Sequence, residues 1–158
     1  MKKFIPLLIL LLAIFITSSQ TYEQQSIVPT LQKHFPNEPL KPFLSLLHFH
    51  YYGMDISVES RGYYYFLEFL VRKATHFLTF GAIGLALYIA LPRLKFRLLL
   101  TIVGTFLLAT IDEFHQYFTA GRTASFQDVL LDTTGAITFL AIFKCIQLLI
   151  HTKKSTKD

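Results

Sequence analysis

The chain carries a single cysteine, Cys145, and few charges of either sign. One cysteine excludes a disulfide framework and a zinc site built on thiolates. Cys145 lies within an apolar run, where it reads as an inert, packed thiol. Lys, Arg, Asp and Glu make up only 16% of the 158 residues, against about a quarter in soluble domains. There is no Gly-rich phosphate loop and no internal repeat, and the one low-complexity tract is the short basic tail. Ser18, Ser19 and Ser125 lack the surroundings of a nucleophile elbow, which removes the case for a serine hydrolase. A compact two-histidine motif such as His-Glu-x-x-His is also missing, so a metal site has little sequence support.

What remains is apolar. Hydrophobic residues make up 53% of the chain and the mean hydropathy is +0.46. Four apolar runs predict spans at about 4–18, 69–91, 97–118 and 129–150, within one domain covering 1–158. A spanning helix needs about 20 mostly apolar residues, so the second and fourth runs suffice alone. The third suffices if its polar end, from Asp112 to Phe118, reaches the interface. The first follows Lys2 and Lys3 and ends in Thr17-Ser18-Ser19, a pattern shared with cleavable signal peptides; a retained helix is the favoured reading.

The net charge of +5 first suggests nucleic acid, but the bases flank apolar runs instead of forming an aromatic-interleaved stripe. With the N-terminus inside, the inner segments hold Lys2, Lys3, Arg93, Lys95, Arg97, Lys153, Lys154 and Lys157 against one acid, Asp158. This is a positive-inside pattern, and it predicts an all-α membrane bundle with both termini inside. Lys144, in the inner part of the fourth run, can snorkel to the inner face. The connection 19–68 then lies outside. It carries Pro29, Pro36, Pro39 and Pro42 and an aromatic-rich stretch at 43–52, expected to form an interfacial helix or a cap over the bundle. His48 and His50 alternate with aromatics there and read as interfacial packing.

Helical spacing groups the polar residues. Arg72 and Lys73 share a face with His76, Asp112 with His115 and Gln116, and Asp128 with Asp132. At the rise of an α-helix, His76 lies about 25 Å above Arg93, Asp112 about 22 Å above Arg97, and Asp132 about 27 Å above Ile150. In a hydrocarbon layer about 30 Å thick, all three reach the outer quarter. Charged groups there face one another and not the acyl chains, and Arg122, in the connection 119–127, joins them. Gly81, Gly84, Gly104, Gly135 and Ala136 permit close helix approach.

Each of these residues admits two readings. In Asp112-Glu113 one carboxylate serves as acid or base while the other holds a cation or the Arg122 guanidinium, or else they enter internal ion pairs with bases that lock the helix ends. His76 is a proton carrier, a phosphate contact or a metal ligand, or else a neutral histidine bonded to an aspartate. Arg72, Lys73 and Arg122 suit phosphate or carboxylate, and equally neutralise Asp112, Glu113, Asp128 and Asp132. A metal held by His76, Asp112, Glu113 and Asp132 is chemically allowed. The inner halves of the spans are apolar apart from Lys144, which argues against a transport path.

The ordered set Arg72-Lys73-Ala74-Thr75-His76-Phe77, Asp112-Glu113-Phe114-His115-Gln116, Gly121-Arg122, Asp128 and Asp132-Thr133-Thr134-Gly135-Ala136 resembles the VanZ-like membrane protein family. The opening Phe15-Ile16-Thr17-Ser18-Ser19-Gln20 is similar to that family's first helix and the turn after it, which favours a retained helix. The resemblance covers nearly the whole chain and is weakest over 22–68. It implies a bacterial cell-envelope role that bears on glycopeptide susceptibility, since the family is named for a protein associated with resistance to the glycopeptide teicoplanin; it supplies no reaction and no cofactor. The expected ligand is an anionic lipid or cell-wall precursor, met by Arg72, Lys73, His76, Asp112, Glu113, Gln116, Arg122, Asp128 and Asp132. The alternatives are a membrane enzyme using Asp112, Glu113 and His76 on a lipid-linked or phosphorylated substrate, and a structural or assembly module. Membrane lipids are the expected partners, and nucleic acid is not.

Overall fold

In lipid a backbone finds no solvent partner, so apolar stretches of this length satisfy their own N–H and C=O groups as helices. The computed structural model describes residues 2–155, with side chains through Thr152. The side chains of Lys153 and Lys154, and all of Met1, Lys157 and Asp158, lie outside the described residues. After a 3-10 turn at Lys2–Phe4 come α1 (Ile5–Ser18), α2 (Tyr22–Gln25), α3 (Val28–His34) and α4 (Lys41–Leu44). A hairpin of β1 (Phe49–Tyr51) and β2 (Met54–Ile56) leads to α5 (Val58–Arg61) and three long helices, α6 (Tyr63–Ala90), α7 (Arg97–Tyr117) and α8 (Phe126–Ser155).

The chain forms an all-α membrane bundle. Among the described residues three helices, α6, α7 and α8, are long and apolar enough to cross a membrane. A fourth crossing exists if Lys2–Ser18 and Tyr22–His34, bent by 119° at their break, count as one span. Large apolar side chains stay exposed at helical spacing, as at Leu99, Val103 and Leu107 on α7 and at Ile142 and Ile146 on α8. Such a surface is costly in water and suited to acyl chains. Cys145 lies on this exterior, so the expectation of a packed thiol is corrected. Around it α8 is exposed at every position from 141 to 150 except the half-buried Phe143.

α6 and α8 pack most extensively, through small residues. A Cβ on Gly84 would sit 2.6 Å from that of Ala136, and one on Gly135 would collide with the Phe77 carbonyl. Fully buried Thr101 and Thr105 return their hydroxyl protons to carbonyls four residues back, at 2.8 and 2.9 Å, so neither hydroxyl is stranded in the core. Leu7 of α1 belongs to the core with Phe80, Ile83, Ala109 and Val129, and Leu10, Leu11 and Ile14 pack against it. The first helix is thus built into the bundle.

The long connection departs from one of its expectations. No interfacial helix spans 43–52. The α4 helix covers only Lys41–Leu44, and 49–56 form an antiparallel hairpin pairing Phe49 with Ile56 and Tyr51 with Met54. Tyr52 and Gly53 both have positive φ, 57° and 71°, the two-residue turn whose twist matches the strands. Ile56 then anchors the hairpin in a second core with Leu44, Val58, Tyr63 and Phe66. His48 and His50 are exposed and not packed, and His50 Nδ1 lies 3.0 Å from Asp55 Oδ1. Strand alternation directs these rings away from the face that Tyr51 uses. The α6 helix begins at Tyr63, six residues before the apolar run, because the capped turn α5 and Gly62 (φ 81°) restart the chain there. It ends as Pro92 approaches.

Candidate functional site

Charged residues buried beside lipid persist only when each has partners. The end of the bundle below the hairpin and α3 meets this demand in linked groups. Glu68 is 1% exposed. Its Oε2 accepts from Ser26 Oγ at 2.8 Å and from the backbone N–H groups of Ile27 and Val28 at 3.0 and 3.2 Å. Its Oε1 accepts from Arg72 Nε, one turn along α6, at 3.0 Å. Arg72 reaches further, donating Nη1 to Gln25 Oε1 at 3.0 Å and Nη2 to the Tyr22 carbonyl at 3.3 Å. Its guanidinium lies 4.5 Å over the Tyr22 ring, a cation–π contact.

One residue later on α6, Lys73 pairs with Asp128 at the start of α8 and contacts the Tyr52 hydroxyl at 2.5 Å. Asp128 also accepts from the Tyr51 and Tyr52 hydroxyls at 2.9 and 2.6 Å. The Tyr52 N–H donates to Gln127 Oε1 at 2.9 Å. The hairpin is therefore pinned to the first turn of α8, and Lys73 lies between the two rings. Burial first, and then the charge of Asp128, push both tyrosine hydroxyls above their ordinary pKa.

A third group hangs from α7. Gln116 donates to Asp112 Oδ2 at 2.7 Å, while its Oε1 accepts from Arg122 Nε and Nη2 at 3.1 and 2.6 Å. Arg122 Nη1 donates to Gln25 Oε1 at 2.5 Å. Two guanidinium groups, those of Arg72 and Arg122, thus converge on one neutral amide oxygen. Arg122 has no ion pair among the described residues. Burial first, and then the like charge of Arg72, hold its pKa below the ordinary value. Glu113 accepts the Ser125 N–H at 2.8 Å and likewise has no ion pair among the described residues. His76 Nδ1 is 3.4 Å from Asp132 Oδ2, and the fully buried Asp132 Oδ1 has no partner among the described residues.

These groups surround a cavity of about 590 Å³. Of the residues the sequence nominated, Arg72, Lys73, His76, Glu113, Gln116, Arg122 and Asp128 line it. Asp112 and Asp132 sit behind that wall, holding Gln116 and His76 respectively. His115 is not among them; its ring stacks on Phe15 at 4.9 Å. No group of three His, Cys, Asp or Glu side chains is placed to hold a metal among the described residues. Sequence reasoning overlooked Glu68, Gln25, Tyr51 and Tyr52. The Glu68–Arg72 spacing of four was a usable signal; Gln25 and the tyrosines arrive from the connection, where no helical period relates them to the spans.

The family model described as VanZ/LLP1 matches residues 4–149. The chain belongs to the VanZ/LLP1 family. No curated protein and no solved structure matches it. In this VanZ/LLP1 member the family match takes in α1, α6, α7 and the apolar length of α8, and therefore every residue of the cavity wall named above.

Proposed function

We propose that this cavity opens at the outer face of a bacterial membrane and recognises an anionic envelope component: a lipid headgroup, a phosphorylated lipid carrier or a cell-wall precursor. The carrying observation is the meeting of Arg72 and Arg122 on Gln25 Oε1, at 3.0 and 2.5 Å. A neutral amide offers one oxygen to two cationic forks. A phosphate or carboxylate offers several oxygens with charge, and matches guanidinium geometry in bidentate fashion. The outward orientation rests on the bases Lys2, Lys3, Arg93, Lys95 and Arg97 flanking the opposite ends of the spans. Occupancy would change what the cell displays and thereby its susceptibility to teicoplanin. The test expresses wild type, Arg122→Gln and Arg122→Lys at matched membrane levels, measuring teicoplanin sensitivity and co-purifying lipids by mass spectrometry. Loss of both effects in Arg122→Gln, with partial retention in Arg122→Lys, is the expected result. Wild-type behaviour of Arg122→Gln in both assays rejects the reading.

A second reading has its own observation. Glu113 faces the cavity with only a backbone donor on its carboxylate, and His76 lines the same wall. This arrangement suits acid–base chemistry on a phosphorylated or lipid-linked substrate held by the arginines. Turnover by purified protein that disappears in Glu113→Gln, at unchanged thermal stability, would favour the enzyme. A fall in membrane abundance in all these variants before any other effect would make the layer an assembly device.

A further inference from the structure

A second cavity, of about 730 Å³, lies at the opposite end of the bundle. Lys3, Arg93, Lys95, Arg97 and Lys144 line it, and no acidic residue does. None of the five has an ion pair among the described residues. They come from four parts of the chain: the N-terminal turn, the α6–α7 connection, α7 and α8. Orientation signals account for bases near helix ends. They do not account for Lys144, which lies within an apolar stretch of α8, nor for convergence on one hollow.

Tyr88 organises the floor. It is 7% exposed, and the Arg97 guanidinium lies 4.0 Å over its ring while Lys144 Nζ lies 5.0 Å from the same ring. Arg97 also donates Nε to the Tyr88 carbonyl at 2.7 Å, with Nη2 on the same oxygen. This locks the guanidinium plane and leaves Nη1 and the lysines for another acceptor. Cations held close together without counter-charge attract an anion. The rest of the wall includes Leu91, Leu98 and Phe143, so the same hollow offers apolar contact beside the charge.

We propose that this basic cavity holds the phosphate-bearing headgroup of an anionic membrane lipid, at the leaflet opposite the cavity of the proposed function. Basic pockets between spanning helices are suited to such headgroups, and juxtamembrane lysines and arginines are drawn to anionic leaflets. Arg93 and Lys95, both exposed on the connection, close over the phosphate, while Lys144 and Arg97 meet it from below. The apolar wall takes the first part of the acyl chains.

The test uses native mass spectrometry of the full chain in neutral detergent, with phosphatidylglycerol, phosphatidylcholine or inorganic phosphate added. Wild type is expected to retain phosphatidylglycerol over phosphatidylcholine, and Lys144→Gln to reduce the lipid-bound to free ratio at least fivefold. Arg93→Gln, in an exposed turn, carries the same expectation and guards against a folding defect in the Lys144 variant. Equal retention of the two lipids by wild type, or unchanged phosphatidylglycerol retention in both variants, overturns the proposal. Binding of inorganic phosphate with no preference between the lipids overturns it in favour of a free anion. Arg122 lies at the other end of the bundle, so loss of the Arg122→Gln phenotype and loss of this lipid preference are separate outcomes.

Discussion

Beneath α3 and the hairpin, Arg72 and Lys73 each meet a buried carboxylate, Glu68 and Asp128. At the opposite end, Arg93, Lys95 and Lys144 have no ion pair among the described residues. The difference follows from depth and solvent. A charge withdrawn from water must be compensated by bonds, and those bonds then hold the elements that supply them. A charge near the headgroup layer keeps its hydration, contributes little to folding, and stays available to whatever anion arrives. The first kind of end is therefore a structural keystone as well as a candidate site, whereas the second is a candidate site almost free of structural duty.

The sharpest way to break this contrast is Glu68→Ala. It strands Arg72 and three donors from the Ser26–Val28 segment, and a loss of about 3–5 kcal/mol is expected from breaking a buried pair. Denaturant unfolding in detergent measures it, and a loss below about 1 kcal/mol would mean the end is solvated after all. Next comes Asp128→Asn, which removes the charge shared by Lys73, Tyr51 and Tyr52. Hydrogen bonds to charged groups suggest about 2 kcal/mol, with faster proteolysis of the hairpin as a second readout.

A pH experiment sharpens the same point. Tyr51 and Tyr52 are pushed above the ordinary tyrosine value by burial and by Asp128, so ultraviolet titration should find them still protonated when exposed tyrosines have ionised near pH 10. The sign follows: the unfolded chain releases these protons near pH 10 and the folded one does not. Their contribution is thus complete below that pH and falls as pH rises above it. Ionisation of all eight tyrosines together near pH 10 would argue that the hairpin is not docked. The smallest effect belongs to Lys95→Gln at the basic end, expected within about 0.5 kcal/mol of wild type. A larger loss would show that this end too has a folding role.

Much of the loop-end cavity was legible because helices impose a period. Arg72, Lys73 and His76 on α6, and Asp112 and Gln116 on α7, had to share faces once their segments were helical, and the common rise brought separate spans to one level. Glu68 was hidden because hydropathy marks where apolar residues begin, not where a helix begins, and α6 starts at Tyr63. Gln25, Tyr51 and Tyr52 were hidden for a different reason. Their positions depend on how the 19–68 connection folds back, and its short elements leave no periodic trace. The same limit explains why an interfacial helix and a cap stayed open as alternatives at 43–52, where aromatic content was visible and strand pairing was not.

The sequence by itself determined that the chain is a helical membrane bundle, where its polar turns fall, and to which family it belongs. These depend on local quantities: apolar length, helical period, and residue order. Only the tertiary structure decided who bonds to whom. Glu68, and not Asp112 or Asp128, takes Arg72; Arg122 is left facing Arg72 across one amide; and five bases from four parts of the chain line one cavity with Tyr88. Such pairings depend on distances between segments far apart in the chain. Those distances are set by the packing of α6 on α8 and by the path of the connection, and no local pattern encodes them.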